Sequence, residues 1–423
     1  MTMRALISTV CAALLLSACG TQTGLRATGA ATGDLAAAGL MESLVDRVIV
    51  PEHPQRPPQN FTTGNTARLY VTPAENVPAI LELLGSAKES IAIEMYNFID
   101  DTMGHPVADL LVAKAKAGVK VQVLADFAGS NTRRGYGAMA KRFKEAGIEL
   151  RTYKLRAIIK DDHMVGVNIT HRKLYLVDGQ RALTGGVNLR EPFNTNTQDV
   201  LLRWEGPIVP GLYREFGYEW LASGGTAPIP SATAVQAPLG VRAQVAVTSA
   251  PEGRYEIRDA VYQAVDAAQS EIRIEQQYLW DDRLMLRIHA ALKRGVKVRA
   301  IVPGEEDRGV FKYVHSEEMQ RLIKDGGECR LYAGDGGTGH LHAKYFGIDD
   351  HWVAVGSCNG DTRGFTDNQE IDTIFTDQDL ATQLRGRLFE TDWTQNTVPF
   401  VYKPSSVVVR PFRSLLELID YFM

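Results

Sequence analysis

Two stretches of the chain place a histidine and a lysine two residues apart at the head of an apolar strand: "HRKLYLVD" from His171 to Asp178 and "HAKYFGID" from His342 to Asp349. Side chains two apart in a strand project to one face, so His171 with Lys173, and His342 with Lys344, each set a proton carrier and nucleophile beside a fixed positive charge. One such pair alone reads as a solvated strand end. Here the pair recurs at a constant offset of 171 positions without a gap, and Asp178 falls on Asp349, Gly185 on Gly356 and Asn188 on Asn359. The "TQD" ending at Asp199 meets the "NQE" ending at Glu370. Pooled in one site, two imidazoles, two ammonium groups and two amides suit a phosphodiester. One imidazole attacks phosphorus and the other protonates the leaving alkoxide, while Lys173, Lys344, Asn188 and Asn359 hold the nonbridging oxygens as charge builds. Asp199 and Glu370 can each fix an imidazole tautomer and stabilise its charged form. A site that needs one neutral and one protonated imidazole works best between their two pKa values.

Repeated chemistry implies a repeated scaffold. Upstream, "LYVTPAENVPAILELLGSAKESIAIEMYNF" (69–98) resembles "VAVTSAPEGRYEIRDAVYQAVDAAQSEIRIEQQYL" (245–279), and "KAGVKVQVL" (116–124) resembles "KRGVKVRAI" (293–301). Downstream, "REFGYEW" (214–220) pairs with "RLFETDW" (387–393), each with Phe and Trp four apart on one helix face. In the first copy "LYVT", "IAIEMYNF", "KVQVL" and "IELRTY" read as strands, separated by helical stretches around Val77–Leu84, Pro106–Lys116 and Ala138–Ala146. Strand, helix, strand order implies parallel pairing with helices on both faces, and each motif itself reads as a hairpin turning at its Asp. The fold class expected is α/β: two tandem domains related by pseudo-twofold symmetry, with mixed, mostly parallel sheets flanked by helices. The segments are 1–18, a signal peptide; 19–66, a flexible tether; 67–222, the first domain; 223–243, a linker rich in Pro, Gly, Ser and Ala; 244–395, the second domain; and 396–423, a tail whose "SLLELIDYFM" suggests a small amphipathic helix.

A chain of 423 residues holds two ordinary domains, and its 45% hydrophobic and 23% charged content is that of a soluble globular protein. The formal net charge of −4 gives no electrostatic case for nucleic acid over the whole surface. From Arg133 to Lys160, however, nine basic and two acidic residues form a run that either faces a phosphate-rich surface or is a solvated helix face followed by an edge strand. At the amino terminus Arg4, the apolar run Ala5–Leu16 and "LSAC" ending at Cys19 read as a secretory signal. "LSAC" resembles the bacterial lipobox, which makes Cys19 the lipidated first residue of the mature protein, followed by the small, polar stretch "GTQTGLRATGAATGDLAAAG". Apart from the signal no run approaches the roughly 20 apolar residues of a spanning helix. The localisation implied is the bacterial cell envelope, lipid-anchored, at the periplasmic face of the outer membrane in a Gram-negative cell. Only Cys329 and Cys358 remain in the mature chain, too few for a disulfide framework. Cys358 lies inside the second motif, but Val187 is its counterpart in the first, and a small buried residue serves both.

"HRKLYLVD" with "GGVN" and "HAKYFGID" with "GSCN" resemble the paired HxKxxxxD motifs of the phospholipase D superfamily, and the flanking "DVLLRWEGPIV" and "NGDTRGFTDNQE" are most similar to its cardiolipin synthase-like branch. The resemblance covers roughly residues 67–395. It implies a phosphohistidine intermediate, with His171 as nucleophile and His342 as general acid, and crossed support, Glu370 behind His171 and Asp199 behind His342. It also implies that Asp178 and Asp349, though part of the catalytic motifs, mainly close the turn after the strand. The chain lacks the amino-terminal membrane helices of the cardiolipin synthases and has a lipobox instead. A metal site is not expected. "HLH" at 340–342 has a spacing some zinc sites use, but Lys344 on the same face repels a cation and the first copy has Thr170 before His171, with no second histidine. His340 reads as a rim residue and His163 as a loop residue. The partners expected are a phospholipid substrate and a membrane surface, with no cofactor. Both motifs lie in one chain, which makes a monomer complete and favours lipid over nucleic acid; a nuclease-type phosphodiesterase of the same superfamily is the alternative.

Overall fold

The computed structural model describes residues 45–49, 56–160, 163–234, 236–304, 311–334 and 339–402. In the first half the chain runs β1 (Val45–Ile49), β2 (Thr62–Tyr70), α1 (Pro73–Gly85), β3 (Ser90–Met95), α2 (Gly104–Lys116), β4 (Lys120–Asp126), α3 (Tyr136–Glu145), β5 (Glu149–Tyr153), β6 (Leu155–Lys160), β7 (His163–Asn168), β8 (Lys173–Val177), β9 (Arg181–Gly185), β10 (Thr197–Gln198), β11 (Leu201–Glu205) and α4 (Val209–Ala222). In the second it runs β12 (Val241–Ser249), β13 (Arg254–Tyr255), α5 (Glu256–Ala267), β14 (Glu271–Gln276), α6 (Asp282–Lys293), β15 (Lys297–Pro303), α7 (Phe311–Lys324), β16 (Glu328–Tyr332), β17 (His340–Leu341), β18 (Lys344–Ile348), β19 (Trp352–Gly356), β20 (Gln369–Thr376), α8 (Gln378–Leu384) and β21 (Thr397–Pro399).

The strand and helix expectations for the first copy hold, because the apolar runs are buried, save in the edge strand β5, which is half-buried before Tyr153. α1 turns Ala79, Ile80, Leu83 and Leu84 into the core, and β3 is buried from Ile91 to Met95. Strand order from one edge is β21-β16-β15-β14-β18-β19-β20-β12-β2-β11-β9-β8-β3-β4-β5, a sequence that mirrors itself about the β12–β2 junction. The two α/β halves therefore share one mixed sheet, where the sequence pattern suggests separate ones. Within this sheet parallel pairing is confined to β3–β4–β5 and β14–β15–β16. The balance is thus less parallel than expected, since the strands after each motif return through tight turns and pair antiparallel. The halves meet where β12 pairs antiparallel with β2, Val241 opposite Asn65 and Ala243 opposite Thr62. Asn65 pins that junction, its amide donating to the Val241 carbonyl and its side-chain oxygen accepting from the Ile208 N–H.

One core cluster spans both halves on a single face of the sheet, bringing Trp204, Phe216 and Trp220 together with Ile371, Phe375 and Phe389. The two Phe–Trp pairs stack as their spacing implies, with ring centroids 5.8 Å apart for Phe216–Trp220 and 5.6 Å for Phe389–Trp393, although the second pair sits on π-helical turns. Two further clusters lie one to each half.

Several segments are more ordered than their composition suggests. Residues 45–49, expected within the tether, form β1 beside β6, as the β-branched Val45, Val48 and Ile49 favour. The proline-rich stretch after α4 lies against the first half: Ala232 N–H donates to the Gly179 carbonyl, and Ile229 N–H to Gln122 Oε1. His163 opens β7, not a loop. The basic run from Arg133 is not one charged face. Lys141 and Lys144 are exposed, whereas Arg142 bonds Asp109 and Arg156 is buried with its guanidinium 4.3 Å from the Tyr153 ring. The signal segment, Cys11, Cys19 and "SLLELIDYFM" lie outside the described residues.

Candidate active site

The site forms where the amino-terminal ends of β8 and β18 face each other. Backbone bonds across the halves set this geometry: His171 N–H donates to the Gln369 carbonyl at 2.9 Å and His342 N–H to the Gln198 carbonyl at 2.9 Å. The residue after each glutamine is the carboxylate, so register alone delivers Glu370 to His171 and Asp199 to His342. His171 Nδ1 lies 3.0 and 3.1 Å from the Glu370 oxygens, and His342 Nδ1 lies 2.7 Å from Asp199 Oδ2. The imidazole centroids are 6.4 Å apart. Lys173 Nζ donates to the His171 carbonyl at 2.6 Å, and Lys344 donates to the His342 carbonyl and to Gln277 Oε1. Asn188 and Asn359 are buried with Oδ1 atoms that meet no partner. The imidazoles, lysines and crossed carboxylates converge, and Asn188 and Asn359 follow β9 and β19, the strands paired with β8 and β18.

The other two do not. Asp178 and Asp349 lie at the far ends of β8 and β18, roughly 16 Å of strand away from the lysines. Asp178 accepts from the N–H groups of Lys88, Glu89 and Ser90, and Asp349 from those of Gln269, Ser270 and Glu271. Partial burial opposes their charge, but these donors hold both carboxyls below the usual range. Each has a positive φ, 53° and 51°, at a tight turn. They are structural residues, as the family pattern implies, and their place among the catalytic residues is corrected accordingly.

The two pairs differ electrostatically. Burial depresses the His171 imidazole to about 4 against the pull of Glu370, while Glu370, although buried, is held below its ordinary value by His171, Lys173 and the Ser357 hydroxyl. His171 Nδ1 is also 3.1 Å from the Ser357 carbonyl. A carbonyl only accepts, so Nδ1 carries hydrogen and Nε2 keeps its lone pair. In the other pair burial pushes Asp199 up to about 7, and burial with Lys344, Lys173, His171 and Arg190 holds His342 well below its usual value. Burial lowers Lys344 to about 8 and holds Lys173 well below its usual value.

Matches to known proteins repeat this duplication. The family described as "Cardiolipin synthase, PLD-like domain" matches twice, at residues 80–220 and 261–393, so that each half carries one match. The chain belongs to the cardiolipin synthase-like branch of the phospholipase D superfamily. This phospholipase D-like enzyme is 28% identical over 348 residues to a probable cardiolipin synthase, YwiE, of Bacillus subtilis, spanning 80% of the chain and 68% of that protein. It is 27% identical to the major cardiolipin synthase ClsA of the same organism, over 77% and 68%. In fold it resembles phosphatidylserine synthase of Haemophilus influenzae, with a TM-score of 0.62 at 15% identity over 86% of the chain and 97% of that structure. It also resembles polyphosphate kinase of Porphyromonas gingivalis, with a TM-score of 0.53 at 14% identity over 84% and 53%.

Other residues of this phospholipase D-like site carry weaker sequence signals. Arg172, between His171 and Lys173, points to the opposite face, where Glu94, Glu215 and Glu219 surround it at 3.7–4.0 Å. Thr170 is fixed by Asp126 Oδ2 on its N–H and by its own hydroxyl on Glu94 Oε1. Tyr96 packs edge-on to His171 at 4.9 Å and Phe193 to His342 at 4.8 Å. Cys358 is an inert core residue, its thiol raised far above the usual range by burial beside Asp372 and Glu370. Gly186 stands where the second half has Ser357, and a Cβ there would sit 2.1 Å from Asp199 Oδ1. Gly186→Ala is therefore expected to displace Asp199 from His342 and lower kcat about 10- to 100-fold. Unchanged kcat would show that bond to be dispensable.

Proposed function

We propose that this chain transfers a phosphatidyl group from a phospholipid to an alcohol or to water through a phosphohistidine on His171. The observation that carries the reading is the facing pair of buried imidazoles, each backed by a carboxylate from the opposite half and flanked by a lysine. In the first step the His171 Nε2–P bond forms as the P–O bond to the headgroup breaks, and His342 gives its proton to the leaving oxygen. In the second, His342 takes the proton of the incoming hydroxyl as its oxygen displaces His171. Lys173 and Lys344 offset the charge on the nonbridging oxygens with Asn188 and Asn359. Burial raises the Asp199 carboxyl to about 7 and lowers the His342 imidazole, which favours a proton shared by this pair on the carboxylate side. An anionic phosphodiester favours the cationic imidazole, so substrate entry draws that proton onto His342 where it is needed.

The test uses the full chain with EDTA present, incubated separately with phosphatidylglycerol vesicles, phosphatidylcholine vesicles and single-stranded DNA. Phosphatidyl product from lipid, undiminished by EDTA, is expected, because side chains supply the positive charge. Cleavage of DNA without lipid turnover, or loss of activity restored by zinc, overturns the reading.

Among the described residues no helix is long and apolar enough to cross a membrane. Attachment through a lipidated Cys19 in the bacterial envelope is part of the proposal, supported by "LSAC" and the apolar run before it. Cys19→Ser is expected to release the protein from membranes or leave its signal uncleaved; an unchanged, processed, membrane-bound product contradicts this.

A further inference from the structure

The two imidazoles have different neighbours, and the difference bears on the acceptor. His171 faces Tyr96, a half-buried ring that carries a hydroxyl. His342 faces Phe193, a buried ring that carries none, with planes at 85°. Phe193 is held by a strapped loop. Leu189 N–H donates to the Asn97 carbonyl, Glu191 N–H to Asp101 Oδ2, Asn194 Nδ2 to Thr102 Oγ1, and Phe193 N–H to the Arg190 carbonyl. The corresponding loop of the second half has no such wall: its aromatic, Phe365, turns into the core against Tyr262. Arg190, half-buried on the same loop, sends its Nε to the Glu191 carbonyl, and its charge bears on His342.

We propose that Phe193 selects alcohol over water as the acceptor in the second step, and that Arg190 beside it favours an alcohol bearing its own negative charge. The proposal rests on the phosphatidyl transfer argued above, in which His342 deprotonates the acceptor. A water held beside His342 needs two to four polar partners to be well placed, and the Phe193 face supplies none. An alcohol needs only its hydroxyl on His342 and lays its carbon skeleton against the ring. The phosphoenzyme then partitions by displacement: the acceptor oxygen bonds phosphorus, the His171 Nε2–P bond breaks and the hydroxyl proton passes to His342. An anionic group further along the acceptor comes within reach of the Arg190 guanidinium, whose fork suits a phosphate.

The experiment measures partition of one intermediate, so partial loss of folded enzyme does not mimic the effect. Full-length protein on phosphatidylglycerol vesicles is supplied with isotopically labelled glycerol, glycerol phosphate or choline at equal concentration, and labelled transfer product is compared with phosphatidic acid. Phe193→Ala is expected to lower the transfer-to-hydrolysis ratio about tenfold for every alcohol. Phe193→Tyr, which keeps the ring and adds a partner for water, shifts the ratio the same way and serves if the alanine variant does not accumulate. Arg190→Ala is expected to reduce use of glycerol phosphate relative to glycerol about tenfold. Normal product yield with an unchanged ratio in the Phe193 variants, or glycerol and glycerol phosphate falling together in Arg190→Ala, overturns the inference alone. No phosphatidyl product from the wild type with any acceptor overturns the function and the inference with it.

Discussion

His171→Ala is expected to form no phosphoenzyme on any substrate, and a better leaving group does not rescue it. The nucleophile is the bond-forming atom, and only His171 has Nδ1 committed as donor to two acceptors, Glu370 and the Ser357 carbonyl, with its lone pair left at Nε2. His342→Ala behaves differently. On a natural alkoxide leaving group it loses the general-acid contribution, about 10²- to 10⁴-fold. On a nitrophenyl-type phosphodiester, whose leaving group departs without a proton, it still forms the phosphoenzyme. That intermediate accumulates, because the imidazole that would deprotonate the acceptor is gone. Trapping with labelled substrate and locating the label separates the two variants. Label on His342 in His171→Ala, with none in His342→Ala, would reverse the roles, and no label in either variant or the wild type would remove covalent catalysis.

Arg172→Ala is expected to cost about 3–5 kcal/mol of stability, measured by chemical denaturation. The guanidinium is wholly buried and is the cation that Glu94 faces, while Glu219 also meets Arg156; removing it leaves Glu94 in the interior without its cation. Glu94 is already pushed up to about 7 by burial even with Arg172 present. A loss under about 1 kcal/mol would mean that the carboxylates neutralise or hydrate without penalty. The second half shows what the fold does without this cation. Ala343 stands where Arg172 does, and the counterparts of Glu94 and Glu219 are Glu275 and Asp392, which interact directly. Burial, then Asp392, raises the Glu275 carboxyl well above its usual range. A group whose folded pKa is raised contributes stability that is present below its unfolded value and lost as pH rises toward the folded one. Glu275→Gln is therefore expected to reduce the fall in stability of the wild type between pH 5 and pH 8.

The catalytic groups were legible because they must be duplicated: His171, Lys173, Asn188 and Asp199 stand out only when laid on His342, Lys344, Asn359 and Glu370. Their crossed support came from the family pattern, and the backbone register at Gln198 and Gln369 supplies its physical reason. Residues that occur once carried no such signal. Arg172 looks like one more polar residue beside a motif, and its role depends on Glu94, Glu215 and Glu219, distant in sequence and brought to the other face of β8. Phe193 and Tyr96 are ordinary aromatics until the fold sets them against the imidazoles. The single sheet was equally hidden, since pairing of β2 with β12 depends on two strand edges whose hydrophobic patterns are complete without each other.

The crossed pairs also restrict how the molecule moves. Many two-lobed enzymes admit substrate by opening about a hinge and assemble the catalytic groups on closing. Here any rotation of one half against the other pulls Glu370 from His171 and Asp199 from His342 at once, and it strains the β2–β12 pairing and the core that spans it. The imidazoles are only 7% and 8% exposed, so substrate still needs a way in. Admission therefore does not come from hinge opening between the halves. Turnover then proceeds above a stationary catalytic floor, and a cross-link between the halves at β2 and β12 would leave it unimpaired.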